Sequence, residues 1–288
     1  MLKKLQIILS FIITIVLSYV IVIYNDELEV FSFIFLLIVL GLYVGSYIVI
    51  LLLYVIMYLL LSFTFKKDVS YESIPKIRKV IFNLGIEYIN YLVGVKVKCS
   101  NLEKLPKDKK FFLVSNHRSI FDATTLSYAF RNKNFVCVSK PENFNLPIAG
   151  RWIKGMCHLS IDRENNRNAL KTIIKAINFI EEDKFSVGIF PEGTRCKTEG
   201  LLPFKSGCFK ISLKAKSPLV ICTIKNSDKV LNKSLFKRTI IEMDIVDVIE
   251  YEDLKDLSTH EIALLARRKM IEHLNIQETY EESKSMIE

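Results

Sequence analysis

The chain of 288 residues has four histidines, and one of them stands in chemically suggestive company. His117 falls in "NHRSIFD", residues 116–122, directly after an apolar run, with Asp122 five positions beyond it. A carboxylate so placed can accept the imidazole Nδ1–H, fix the tautomer and leave Nε2 free as a base. On one continuous helix, positions five apart point about 140° away from each other. The pair therefore meets only if His117 sits in a turn and Asp122 in the first turn of a following helix. The spacing alone is a weak signal, because a surface His near a helix-capping Asp produces it too.

Two further segments strengthen it. The apolar run Phe185–Phe190 leads into "PEGTR", residues 191–195, where Pro191 ends a strand ladder and Gly193 allows a tight turn. Glu192 and Arg195 then project from a strand end. An Arg there can grip a phosphate through its planar fork of donors, and N–H groups after the Gly can meet a developing oxyanion. The run His158–Ile161 likewise finishes in Asp162 and Arg163, which alone reads equally as a surface ion pair. A phosphate-bearing substrate beside a base is the chemistry these three strand ends suggest. No GxSxG nucleophile turn is present, and Ser119, near His117, can equally cap the next helix. The hydroxyl that a His base activates would then belong to a substrate.

Such residues need a scaffold that gathers strand ends. Short apolar runs at 95–99, 111–114, 135–139, 158–161, 185–190, 219–224 and 240–248 read as strands. They alternate with helical patterns at 120–131, 147–155, 167–182, 205–216 and 258–274. The expected class is α/β: a mixed, largely parallel sheet flanked by helices over residues 94–276, with its site at strand C-terminal ends. Residues 277–288 read as a solvated tail. The only Trp, Trp152, is expected in the core.

Ahead of this domain the chain is apolar. Residues 5–24 match one bilayer span, and the uncharged run 30–65 is longer than one span requires. One long tilted helix is favoured there over two short spans turning near Gly41–Ser46, whose first arm would be too short to cross. In one helix, Gly41 and Gly45 form a GxxxG pair that is either a packing face or coincidence. Lys3 and Lys4 precede the hairpin and Lys66 and Lys67 follow it, so residues 1–67 are expected to keep both ends, and the domain, on the cytoplasmic side of the cell membrane. Residues 68–93 connect the two parts. Within them Ile74, Ile77, Ile81, Leu84, Tyr88 and Leu92 form an amphipathic stripe, expected to pack on the domain, with the bilayer surface as the alternative.

The net charge of +9 suits an anionic partner. With no Arg-rich helix, zinc spacing or RNA-binding signature, lipid headgroups fit better than nucleic acid. The six cysteines form no CxxC pair, so no disulfide framework or zinc site is expected.

Taken in order, "NHRSIFD", "HLSIDR", "FPEGTR" and "SPLVICTI" resemble the four blocks of the glycerolipid acyltransferases, specifically the membrane-bound 1-acylglycerol-3-phosphate acyltransferase family. "GVKVKCSNLEKLP" and "FKSGCFKIS" extend the likeness, which covers about Gly94 to Ile224. Ile221 stands where many members carry a second Pro, and Ser160 where a bulkier residue is usual. The resemblance implies His117 as general base, Asp122 as its orienting partner, and Arg163, Glu192, Gly193, Thr194 and Arg195 as holders of the acceptor phosphate. It implies lysophosphatidic acid as acceptor, acyl-CoA or acyl carrier protein as donor, membrane lipids as surroundings, and no metal or other cofactor. Glycerol 3-phosphate or another lysolipid as acceptor, hydrolysis of a thioester or phospholipid by the same dyad, and a non-catalytic lipid-binding role are the competing readings.

Overall fold

The computed structural model describes residues 1–25, 32–66, 71–232 and 237–276. It divides into two compact units, Met1–Val69 and Ser70–Glu288. Most of the acidic turn between the two apolar runs, Lys67 and the tail from residue 277 lie outside the described residues.

The first unit is two helices, α1 (Leu2–Tyr24) and α2 (Phe33–Ser62). α2 runs unbroken through Gly41–Ser46, and its 30 residues make a rod of about 45 Å. The seam between the helices is polar: Gln6, Ser10 and Thr14 of α1 are buried, with Ser46 and Ile50 of α2. The Gln6 amide donates to the Tyr47 carbonyl at 3.0 Å, and the Ser46 hydroxyl to the Ser10 carbonyl at 3.4 Å. Among lipid tails, apolar side chains gain little by facing one another, so small and hydrogen-bonding residues mark the contact. The glycine pair does not. Gly41 and Gly45 are exposed, and a Cβ on either would meet nothing within 4 Å. Most of the other apolar side chains of α1 and α2 are exposed, which suits helices that anchor a chain in a bilayer.

The second unit begins with α3 (Lys76–Leu92), followed by β1 (Val95–Ser100), β2 (Phe112–Ser115), α4 (Phe121–Ala129) and β3 (Phe135–Ser139). Then come α5 (Ala149–Gly155), β4 (Leu159–Ser160), α6 (Asn166–Glu181), β5 (Ser186–Ile189) and α7 (Lys210–Lys214). The chain closes with β6 (Leu219–Lys225), β7 (Thr239–Ile249), α8 (Tyr251–Leu254) and α9 (Thr259–Leu274). The strands form one seven-stranded sheet in the order β1-β7-β6-β2-β5-β3-β4. Only β6 and β7 pair antiparallel. The expected mixed, mainly parallel sheet is present. β2 and β5 lie at its centre and are buried on both faces, which is why their sequences, FLVS and SVGI, lack a polar alternation. One face packs under α6 and α9 around Phe112, Val114 and Phe209; the other packs under α4 around Phe111, Leu113 and Leu126.

Three expectations shift. The 205–216 helix is a 3₁₀ turn, Ser206–Phe209, followed by the short α7. His158 precedes β4, because its ring takes the place of a ladder partner: Nδ1 accepts the Cys137 N–H at 2.9 Å. Burial pushes that imidazole down to about 4, so it stays neutral. On α3 the expected stripe is only partly covered, since Tyr88 is buried while Ile77 and Leu92 are exposed; its buried side runs instead through Ile86, Tyr88 and Asn90. Trp152 is core, and the cysteines are free thiols, all buried except the half-buried Cys99.

Gly188 of β5 answers to a close approach. A Cβ there would lie 2.4 Å from the Phe135 ring, which is itself stacked on Phe130 with centroids 4.3 Å apart. Gly188→Ala should therefore lower stability by about 1–3 kcal/mol, read as a lower thermal unfolding midpoint. An unchanged midpoint would mean that the aromatic stack yields freely.

Candidate active site

The centre of the site is the end of β2, between β5 and β6. Ser115 is the last residue of β2 in register with β6, opposite Cys222. The chain then leaves the sheet, turns through residues 116–120, and enters α4 at Phe121. His117 thus lies in the turn and Asp122 in the first helical turn, and the two side chains meet. His117 Nδ1 is 2.8 Å from Asp122 Oδ2. The same oxygen accepts the N–H groups of Arg118 and Ser119, each at 2.7 Å. Both donors lie in the turn just ahead of the helix, so one buried carboxylate oxygen organises both the turn and the ring. Since a carboxylate only accepts, Nδ1 carries the proton in this contact, and in the neutral ring the lone pair lies on Nε2. The Ser119 hydroxyl accepts the Phe121 N–H at 3.3 Å, which places it at the helix start as a local acceptor.

The segment after β5 wraps the other side of His117. The Phe190 ring stacks on the imidazole, with centroids 4.3 Å apart and planes 17° from parallel. The Cys196 N–H donates to the His117 carbonyl at 2.7 Å. Glu192 is 3% exposed, and its carboxylate is spoken for: Oε1 accepts the His117 N–H at 2.6 Å and Oε2 the Leu202 N–H at 3.0 Å. It contacts main chain where the family likeness implies a phosphate. Burial pushes the Glu192 carboxyl up to about 7, against the pull of those two donors.

Gly193 is in the left-handed region, φ +76°, and a Cβ there would lie 2.9 Å from Cε of Lys205. Thr194 and Arg195 follow it, exposed. Arg163 leaves β4, half-buried; burial lowers its guanidinium value, with Glu142 opposing. β2, β5, β3 and β4 are parallel neighbours, so all these residues emerge at one sheet edge. Arg163 starts three strand spacings, roughly 14 Å, from β2, whereas Arg195 adjoins the residue bonded to His117. Sequence reasoning missed Asn116, Phe190 and Lys205. Each adjoins or falls inside a segment already singled out, but its contacts depend on which strands become neighbours. Among the described residues no group of three His, Cys, Asp or Glu is arranged to hold a metal.

Comparison with known proteins gives this site its class. Residues 96–225, which contain all the site residues named above, match the family model described as Acyltransferase. The 1-acyl-sn-glycerol-3-phosphate acyltransferase of Salmonella typhimurium is 33% identical over 184 residues, covering 62% of this chain and 74% of that protein. The Escherichia coli enzyme of the same name is 32% identical over 176 residues, covering 59% and 71%. The crystal structure of the 1-acyl-sn-glycerophosphate (LPA) acyltransferase from Thermotoga maritima shares the fold, with a TM-score of 0.55 at 18% identity over 79% of this chain and 90% of that one. The chain belongs to the 1-acyl-sn-glycerol-3-phosphate acyltransferase family.

The raised Glu192 carboxyl has a pH signature. An unperturbed glutamate titrates near 4.5 and this one near 7, so the fold prefers the neutral form. Its contribution to stability is complete below the lower value and is lost as pH rises through the higher one. Between about pH 5 and about pH 8 the wild type should lose stability relative to Glu192→Gln, on the order of 3 kcal/mol. Thermal midpoints of the two proteins in detergent check this, and curves that stay parallel would mean that the carboxyl is ionised throughout.

Proposed function

We propose that the chain transfers a fatty acyl group from a thioester of coenzyme A or acyl carrier protein to the sn-2 hydroxyl of 1-acylglycerol 3-phosphate, giving phosphatidic acid. The observation that carries the reading is the His117–Asp122 contact of 2.8 Å, with Nε2 left as the ring's basic atom. Nε2 takes the hydroxyl proton while the oxygen attacks the thioester carbonyl. The tetrahedral intermediate collapses by breaking the C–S bond, and the departing thiolate takes the proton back from Nε2. The steps balance with the two substrates alone, so the reading assigns no metal or other cofactor. N–H groups of Thr194 and Arg195, in the turn that Gly193 opens, are the proposed donors to the oxyanion. Arg195 and Lys205 are the proposed grip on the acceptor phosphate, with Arg163 at the far end of the same edge.

Acceptor and product are both bilayer lipids, which supports the membrane reading of α1 and α2. The basic residues flanking the hairpin support a cytoplasmic catalytic unit. A reporter fused after Lys67 should then read as cytoplasmic; a reading from the opposite side would instead favour two spans in the second apolar run.

The deciding assay uses purified full-length protein, labelled acyl donor and a panel of acceptors that includes glycerol 3-phosphate, other lysolipids and water alone. Labelled phosphatidic acid is the expected product, and donor consumed without acceptor would instead indicate a hydrolase. His117→Ala should cost at least about a hundredfold in turnover while the fold persists. Arg195→Ala should raise the acceptor KM about tenfold or more. Near-normal turnover in the first variant would reject the base assignment.

A further inference from the structure

β2 is a central strand, so successive residues along it alternate in bonding its left and right neighbours. That alternation does not stop where the ladder stops. Asn116, 1% exposed, turns its carboxamide toward the β6 side: Nδ2 donates to the Ile224 carbonyl at 2.9 Å, and the Ile224 N–H donates to Oδ1 at 2.7 Å. Both hydrogen-bonding groups of one β6 residue are therefore satisfied by a side chain. His117 then bonds the β5 side through the Glu192 carboxylate and the Cys196 N–H. Arg118 returns to the β6 side, its guanidinium 3.4 Å from Asp228, four residues beyond Ile224.

We infer that Asn116 is a positioning residue for the base: its carboxamide stands in for the next ladder rung between β2 and β6 and fixes the direction in which the chain carrying His117 leaves the sheet. The inference rests on the reading of His117 as the base. The chemistry at residue 116 is demanding. The side chain must offer one donor and one acceptor in a plane, at the reach of a single methylene, as a peptide group would. An Asp lacks the donor, a Gln is a methylene too long, and an Ala leaves the Ile224 N–H and C=O without partners where no water reaches them. The position also explains why the residue needs no contact with substrate. Displacing an imidazole by about 1 Å is enough to lose up to about a hundredfold in rate.

The test compares Asn116→Ala and Asp228→Asn with the wild type in the full-length protein, measuring turnover, the KM of both substrates and the folded fraction by circular dichroism. Asp228 is the second arm because its side chain is one-third exposed, so its variant folds readily, and it holds the same turn through Arg118. Turnover per folded molecule should fall about tenfold to a hundredfold for Asn116→Ala and about threefold for Asp228→Asn, with both KM values within about threefold of wild type. In a His117→Ala background, Asn116→Ala should cost less than about twofold more, because a residue that acts through the ring has nothing left to position. A raised acceptor KM at unchanged turnover would make Asn116 a substrate contact, and losses that merely track the folded fraction would make it structural. Either result overturns the inference. If His117→Ala itself keeps its turnover, the base reading fails first, and the two failures are distinguishable.

Discussion

The chemistry proposed for this chain depends on a short polar contact that neither partner could make in regular secondary structure. His117 and Asp122 are five residues apart, a separation that turns them away from each other on a helix. They meet because the chain passes from strand to turn to helix within those residues, at 2.8 Å. Everything around them serves that change of direction. Asp122 holds the turn by accepting Arg118 and Ser119 N–H groups. Central parallel strands on either side hold the point of departure. Burial of the carboxylate is tolerable because its bonded oxygen takes three hydrogen bonds, and such a charge without partners would be among the costliest groups to bury.

The second principle is the use of side chains as extensions of the sheet. The His158 ring takes the Cys137 N–H, the Asn116 carboxamide takes both groups of Ile224, and Glu192 takes two main-chain donors. His158 stands just before β4 begins, and Asn116 and Glu192 stand just beyond the ends of β2 and β5, where the backbone must do something other than pair. A buried main-chain N–H left unmatched costs as much as a lost hydrogen bond. The polar residues at this edge therefore have two tasks, completing the sheet and assembling the reactive groups.

Much of this was legible beforehand. The strands and most helices followed from apolar runs and their periods, and the dyad from its spacing combined with the required turn. Four ordered blocks identified the family. What escaped had a common physical cause: it depended on neighbours distant in sequence. Glu192 reads as a charged residue in a loop, and only the adjacency of β5 and β2 turns it into a main-chain acceptor. Asn116 looks like a companion to His117, and only β6 reveals its partner. Gly41 and Gly45 offered a plausible packing face, yet the helices meet at Gln6, Ser10 and Ser46, since hydrogen bonding across the seam is available there and is not at glycine.

The segment that follows β5 carries an unusual double burden. Within seven residues it supplies the ring that flanks the imidazole, the acceptor for the His117 main-chain N–H, the donor to the His117 carbonyl, and Arg195. On the proposed reading, headgroup choice and catalytic speed are thereby written into the same few peptide units. Diversification of lipid preference by changes here would be paid in rate, which leaves the remote β4 end around Arg163 as the place where selectivity can drift at little expense to the machinery.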